Sequence, residues 1–253
     1  MKDARLSIII PVYNEAETLP VIFKKLREVP YGIETEFVFI DDSSKDNSQA
    51  LIKEFSEKFP DVVFHFQDRN QGKGAAIRRG ISLASGDIII IQDADLEYEP
   101  RDIPALLRPI LEDEADVVYG SRFKISGSQV HRTWHRLGNR FLTAFSNLCS
   151  GLYFSDMETC YKMFRADIIK NIVLDSDRFG FEPEITAKIS RLNLRVLEVP
   201  IHYYPRSYQQ GKKIGWKDGF AALWHIVRYN FLRKEADFLL PSLPARYLYP
   251  QRK

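Results

Sequence analysis

The strongest constraint on this chain is the alternation of short, nearly all-apolar runs with amphipathic stretches over its first 120 residues. The runs cover residues 6–12, 36–40, 62–66, 87–91 and 115–120 and are rich in Ile, Val and Phe. Runs this short and this apolar read as strands covered on both faces, as in a parallel sheet. Helical spacing fills the gaps. In 16–29, Leu19, Phe23 and Leu26 share one stripe, and 46–59, 73–84 and 102–111 follow the same logic. The order implies an α/β fold with a single open, mostly parallel sheet and helices on both faces. Sheets of this kind bind ligands at the carboxyl ends of their strands. Four polar clusters stand there: Tyr13-Asn14-Glu15, Asp41-Asp42-Ser43-Ser44, Gln71-Gly72-Lys73 and Asp93-Ala94-Asp95.

The sharpest of these is Asp93-Ala94-Asp95-Leu96-Glu97, directly after an apolar strand. Carboxylates at alternate positions repel one another unless a cation offsets them. Hard oxygen donors suit Mg²⁺ or Mn²⁺, which typically take one or two carboxylates and fill the remaining positions with substrate phosphate. A solvated acidic turn is the plain alternative. At the second strand end, the Asp42 carboxylate suits a nucleobase or ribose, against the alternative of a helix cap. Tyr13 offers a flat face to a base, although Pro11 to Glu15 also reads as a simple strand-to-helix turn. Gly72 and Gly74 let backbone approach a phosphate at a helix start, with Lys73 as a donor contact. The full G-x-x-x-x-G-K-[ST] pattern is missing, so this is no P-loop. Arg122, Arg132, Arg136, Arg206, Lys212 and Lys213 come from separate segments, either as phosphate ligands or as solvated surface.

After residue 121 the alternation weakens. Residues 124–134 read as a polar, basic loop, 137–152 and 179–192 as helices, 195–204 as a strand and 206–215 as a second basic loop. In 217–232, Phe220, Leu223, Trp224, Val227 and Phe231 have amphipathic spacing. Interfacial helices look like this, as do core helices and dimer contacts. The tail from Pro241 is expected to be poorly ordered. A net charge of +2 argues against nucleic acid held by bulk charge. Two cysteines, Cys149 and Cys160, form neither a disulfide framework nor a zinc spacing. No stretch approaches the roughly 20 apolar residues of a membrane span. A cytoplasmic enzyme is expected, with any membrane contact peripheral and on the cytoplasmic face.

Several segments together resemble family 2 glycosyltransferases: LSIIIPVYNE (6–15), IDDSS (40–44), NQGKGAAIRRG (70–80), SGDIIIIQDADLE (85–97) and GSR (120–122). The nearer resemblance is to transferases acting on dolichyl or polyprenyl phosphate, and it extends over about residues 5–215. It implies a GT-A fold, a nucleotide-sugar donor (UDP- or GDP-linked) and a polyprenyl or dolichyl phosphate acceptor. Pro11, Tyr13, Glu15, Asp42, Lys73, Asp93, Ala94 and Asp95 would bind the nucleotide. Asp95 and Glu97 would hold Mg²⁺ or Mn²⁺; position 97 is often Gln in such enzymes. Asp95, Arg122, Arg136, Arg206 and Lys213 form the expected catalytic set, with Arg122 and Arg136 on the acceptor phosphate. Asp156 and Thr159 match a family turn, from which Cys160 departs. The expected organisation is a catalytic domain over 1–215, an amphipathic helix over 216–240 meeting a membrane surface, a membrane partner protein or a second copy, and a flexible tail over 241–253. A phosphate acceptor needs no strong base, whereas a hydroxyl acceptor does, with Glu182 or Glu184 as candidates and a helix start as their plain role. A hydroxyl-directed transferase and a non-catalytic nucleotide-sugar-binding module are the alternatives.

Overall fold

The computed structural model describes residues 4–124, 133–178, 180–205 and 216–250. In chain order the elements are β1 (Arg5–Val12), α1 (Leu19–Arg27), β2 (Glu34–Asp41), α2 (Ser48–Lys58), β3 (Val62–Phe66), α3 (Lys73–Leu83), β4 (Ile88–Ile91), α4 (Ile103–Leu111), β5 (Val117–Ser121), α5 (Thr133–Ser150), β6 (Lys162–Arg165), α6 (Ala166–Ile169), α7 (Phe181–Ile189), β7 (Val196–Pro200) and α8 (Trp216–Val227). One seven-stranded sheet runs β3-β2-β1-β4-β6-β5-β7 and is parallel except at β6. Ile88 to Ile91 and Ile8 to Ile10 are wholly buried, as strands covered on both faces must be. This is the GT-A fold.

The antiparallel strand β6 is absent from the sequence pattern, because its four residues, Lys-Met-Phe-Arg, begin and end with a cation. Both cations are buried by pairing. Lys162 donates to the carbonyls of Met157 (2.9 Å) and Thr159, and Arg165 meets Asp113 (2.6 Å) and Asp116 (3.3 Å). The end of the chain also departs from expectation. Residues 241–250 lie against the domain, with Leu243 and Tyr247 buried. Asn193 donates its N–H to the Tyr247 carbonyl at 2.9 Å, and Arg246 pairs with Asp167 at 2.8 Å. Prolines limited the backbone here without loosening it, because apolar side chains and paired groups hold the segment down.

Candidate active site

The loop after β1 is fastened to the loop after β2. Asn14, at φ +54°, accepts the Lys45 N–H (2.7 Å) on its side chain and donates its own N–H to Ser44 (2.9 Å). Ser48 and Asp46 receive the N–H groups of Glu15 (3.1 Å) and Ala16 (2.9 Å). Ser44, Ser48 and Asp46 thus tie the two loops together. Pro11, Tyr13 and Glu15 remain half-buried on that edge.

The Asp42 carboxylate, a nucleotide candidate in the sequence, is hydrogen-bonded within the protein. Its oxygens accept from Gln67 Nε2 and from the backbone N–H groups of Gln71 and Gly72, each at 2.7 Å. Burial pushes its carboxyl up, against the pull of those two amides. The carboxylate shapes the loop leading into α3. The orphaned oxygen is on the neighbouring residue instead: Asp41 Oδ1 accepts from Ser44 N–H (2.9 Å) and Gln49 (2.6 Å), while the buried Oδ2 has no hydrogen-bond partner. The glycines of this loop also have another purpose. Gly72 sits at φ +102°, and a Cβ there or at Gly74 would strike the carbonyls of Asp177 or Ser176. Close packing against residues 176–178 requires glycine at both positions.

Lys73 opens α3 and reaches the end of β4. Its ammonium lies 2.8 Å from Asp93 Oδ1 and 3.5 Å from Glu182, at the start of α7. Burial alone would lower Lys73, but the two carboxylates hold it well above its ordinary value. Lys73 and Asp93, two separate expectations for the nucleotide, therefore stand as one ion pair, with Ala94 buried behind them. At Leu96 the backbone turns through φ +63°, and Asp95 Oδ1 accepts the Glu97 N–H at 3.1 Å. Glu97 accepts the Tyr203 hydroxyl at 2.6 Å, and Tyr98 and Tyr203 form a β-bridge. Among the described residues, no three His, Cys, Asp or Glu side chains converge as a metal cage. Asp95 and Glu97 on one tight turn would offer Mg²⁺ or Mn²⁺ two carboxylates, the number such an ion takes from protein beside substrate phosphate, so the donor set fits such an ion.

Arg122, at the end of β5, is buried against Asp156. Its Nε and Nη2 donate to the two carboxylate oxygens at 2.6 and 2.7 Å, and its backbone N–H adds a third bond at 3.0 Å. The Tyr203 ring lies 5.0 Å from the guanidinium carbon. This fork is closed on a carboxylate rather than presented to a phosphate. Arg136, near the start of α5, is exposed and lies 5.8 Å from the Phe123 ring. Arg206 and Lys213 fall outside the described residues.

Beneath these groups, the turn between α5 and β6, which holds the sequence candidates Asp156, Thr159 and Cys160, is braced by Glu198 and Tyr98, which the sequence did not single out. Glu198 accepts the N–H groups of Ser155 (2.9 Å) and Asp156 (3.1 Å), and Tyr98 accepts that of Cys160 (2.9 Å). Burial lowers Lys162 to about 8. Burial, then the nearby Glu182, pushes Glu158 up to about 7. A carboxyl raised on folding adds stability below its unfolded range, and that stability is lost as pH rises through about 7. Glu158→Gln is therefore expected to melt near the parent at about pH 5 and above it at about pH 8. A melting difference that stays constant across that window would show that Glu158 is not perturbed.

The family model for glycosyl transferase family 2 matches residues 7–173. The chain is 28% identical over 242 residues to a dolichol-phosphate mannosyltransferase of Pyrococcus furiosus, covering 92% of this chain and 66% of that protein. It is 31% identical over 234 residues to an undecaprenyl-phosphate mannosyltransferase of Micrococcus luteus, covering 89% and 94%. Among solved structures, glucosyl-3-phosphoglycerate synthase of Mycobacterium tuberculosis, in complex with Mn²⁺, UDP-glucose and phosphoglyceric acid, superposes with a TM-score of 0.68. The two are 16% identical, and the match covers 91% of this chain and 81% of that one.

Proposed function

This chain belongs to the family 2 glycosyltransferases, and on that premise we propose that it transfers a sugar from a nucleoside diphosphate to a polyprenyl or dolichyl phosphate, with inversion at the anomeric carbon. The observation that carries the acceptor is the state of Glu184. This side chain is fully buried. Its Oε1 accepts from the Asp175 N–H (2.6 Å) and from Lys188, and its Oε2 from the Ser176 N–H (2.8 Å). Glu182, the other base candidate, is buried beside Lys73. A hydroxyl acceptor requires a base to take its proton. A phosphate monoester, with a second pKa near ~6, is already largely dianionic at neutral pH and requires only positioning and desolvation.

In this reading the loops after β1 and β2 hold the nucleoside, with Tyr13 as the stacking face. The Lys73–Asp93 pair lies under the diphosphate. Asp95 and Glu97 would hold Mg²⁺ or Mn²⁺, which would supply positive charge to offset that of the departing diphosphate. Arg136 is the exposed cation for the acceptor phosphate, and the Arg122–Asp156 pair fixes the β5 edge beside it. The names of both mannosyltransferase relatives support a lipid phosphate acceptor.

The test is release of nucleoside diphosphate from a panel of UDP- and GDP-sugars, with Mn²⁺ or Mg²⁺, with and without a short-chain polyprenyl phosphate. Release that requires both metal and lipid phosphate is expected, and Glu184→Gln should keep the parent's ratio of lipid-stimulated to basal release in whatever fraction folds. Release indifferent to lipid, with turnover lost in Glu184→Gln while donor binding persists, would favour a hydroxyl acceptor. Tight donor binding without release would favour the binding module. A product that keeps the donor's anomeric configuration would rule out the single displacement.

A further inference from the structure

The turn between α5 and β6 leaves two adjacent residues with an unsatisfied oxygen. Glu158 Oε1 and Thr159 Oγ1 are both buried, and neither has a hydrogen-bond partner. A bare buried acceptor is costly, so something is missing from this place. Cations are at hand but directed elsewhere. The charged groups that act on Glu158 are Glu182, Lys162, Arg122 and Asp156. Lys162 donates to the carbonyls of Met157 (2.9 Å) and Thr159, and Arg122 closes its fork on Asp156 at 2.6 and 2.7 Å. Lys73, which shares Glu182, is held by Asp93 at 2.8 Å. We propose that Glu158 binds a hydroxyl of the donor's sugar, and that the acids around it confine the donor to uncharged glycosyl groups. The inference rests on the transfer proposed above.

Position and chemistry both support it. Glu158 is within electrostatic reach of Glu182, which meets Lys73 beneath the diphosphate, and of the Arg122–Asp156 pair on the acceptor side. Two residues further on, the Cys160 thiol meets Asp93, so the turn itself extends to the donor side. The sugar is what passes between diphosphate and acceptor, so it has to lie between the groups that hold them. A phosphate oxygen cannot complete Glu158, because Asp93, Glu158 and Glu182 would all repel it. A sugar hydroxyl can. It donates and accepts, so it satisfies this carboxyl whether ionised or protonated. Burial and Glu182 push the group up to about 7, where both forms occur at neutral pH. The same three carboxylates oppose a uronic acid, which would bring a further negative charge among them.

The full chain is to be titrated in Mn²⁺ with GDP and GDP-mannose, with UDP and UDP-glucose, and with the uronates GDP-mannuronate and UDP-glucuronate. One neutral sugar nucleotide should bind the parent, at least about tenfold more tightly than its uronate counterpart. Glu158→Ala should weaken that sugar nucleotide at least about tenfold while leaving the affinity for its nucleoside diphosphate within about twofold. Glu158→Gln keeps an acceptor oxygen and loses the charge, so it should lose less affinity for the neutral donor and narrow the gap to the uronate. Glu158→Ala that binds the sugar nucleotide as the parent does would mean that water alone completes Glu158, and would overturn the inference. So would an equal loss of nucleoside diphosphate and sugar nucleotide, the mark of a structural role. A parent that binds a nucleoside diphosphate but neither neutral sugar nucleotide, or that binds a uronate as tightly, would also overturn it while leaving the nucleotide site standing. A parent that binds no nucleotide at all would overturn the transfer reaction as well.

Discussion

Asp156→Ala is expected to destabilise the protein by about 3–5 kcal/mol, the usual cost of removing one partner from a buried ion pair. Asp156 is fully buried and accepts three hydrogen bonds from Arg122, one from the backbone and two from the guanidinium. Alanine would leave that cation buried beside Tyr203 with its carboxylate gone. The melting temperature should fall by roughly 10 °C for a chain of this size. Asp156→Asn, which keeps the shape and loses the charge, should fall between parent and alanine. Replacing the pair together, Arg122→Met with Asp156→Leu, should recover much of the stability lost in Asp156→Ala, because it leaves no uncompensated charge. Chemical denaturation of the three variants checks this. A loss below about 1 kcal/mol in Asp156→Ala would mean that the pair behaves as a solvated surface bridge.

The parallel strands were legible because burial on both faces demands unbroken apolar runs, and Ile88 to Ile91 meets that demand at every position. Strand β6 was illegible for the opposite reason. Lys162 and Arg165 are buried only through carbonyls and carboxylates supplied from elsewhere in the chain, and local sequence carries no sign of such partners. The same limit applies to the site. The sequence located the sheet edge and most of the residues on it, but it could not say what each polar group spends its hydrogen bonds on.

Asp42 and Asp41 illustrate the point. Adjacent carboxylates at a strand end look equivalent in sequence, yet Asp42 holds the Gln71 and Gly72 amides while Asp41 keeps the orphaned oxygen. Gly72 and Gly74 read as a phosphate cradle because glycine signals close approach without saying of what; here the approaching group is the backbone of residues 176–177. Helix α5 was legible as a helix, but not as one packed with its polar side inward. The hydrogen bonds that satisfy Thr143 and Asn147 come from the 154–157 turn, which is remote from any helical pattern.

Asp95→Ala should reduce donor turnover at least about a hundredfold, the rate equivalent of roughly 3 kcal/mol, with little change in melting temperature. The argument rests on geometry. Asp95 and Glu97 share the turn made at Leu96, and their carboxylates are the donor pair that fits Mg²⁺ or Mn²⁺. Glu97→Gln should be far milder, within about tenfold, because an amide oxygen can still coordinate a hard cation and accept the Tyr203 hydroxyl. A binding measurement separates loss of metal from loss of fold. The parent's affinity for a nucleoside diphosphate should rise when Mn²⁺ is added, and that rise should be absent in Asp95→Ala and largely kept in Glu97→Gln. If Asp95→Ala retained both the Mn²⁺ response and the turnover, the metal pair would have to be sought elsewhere, and Asp95 would be left with the Glu97 backbone as its partner.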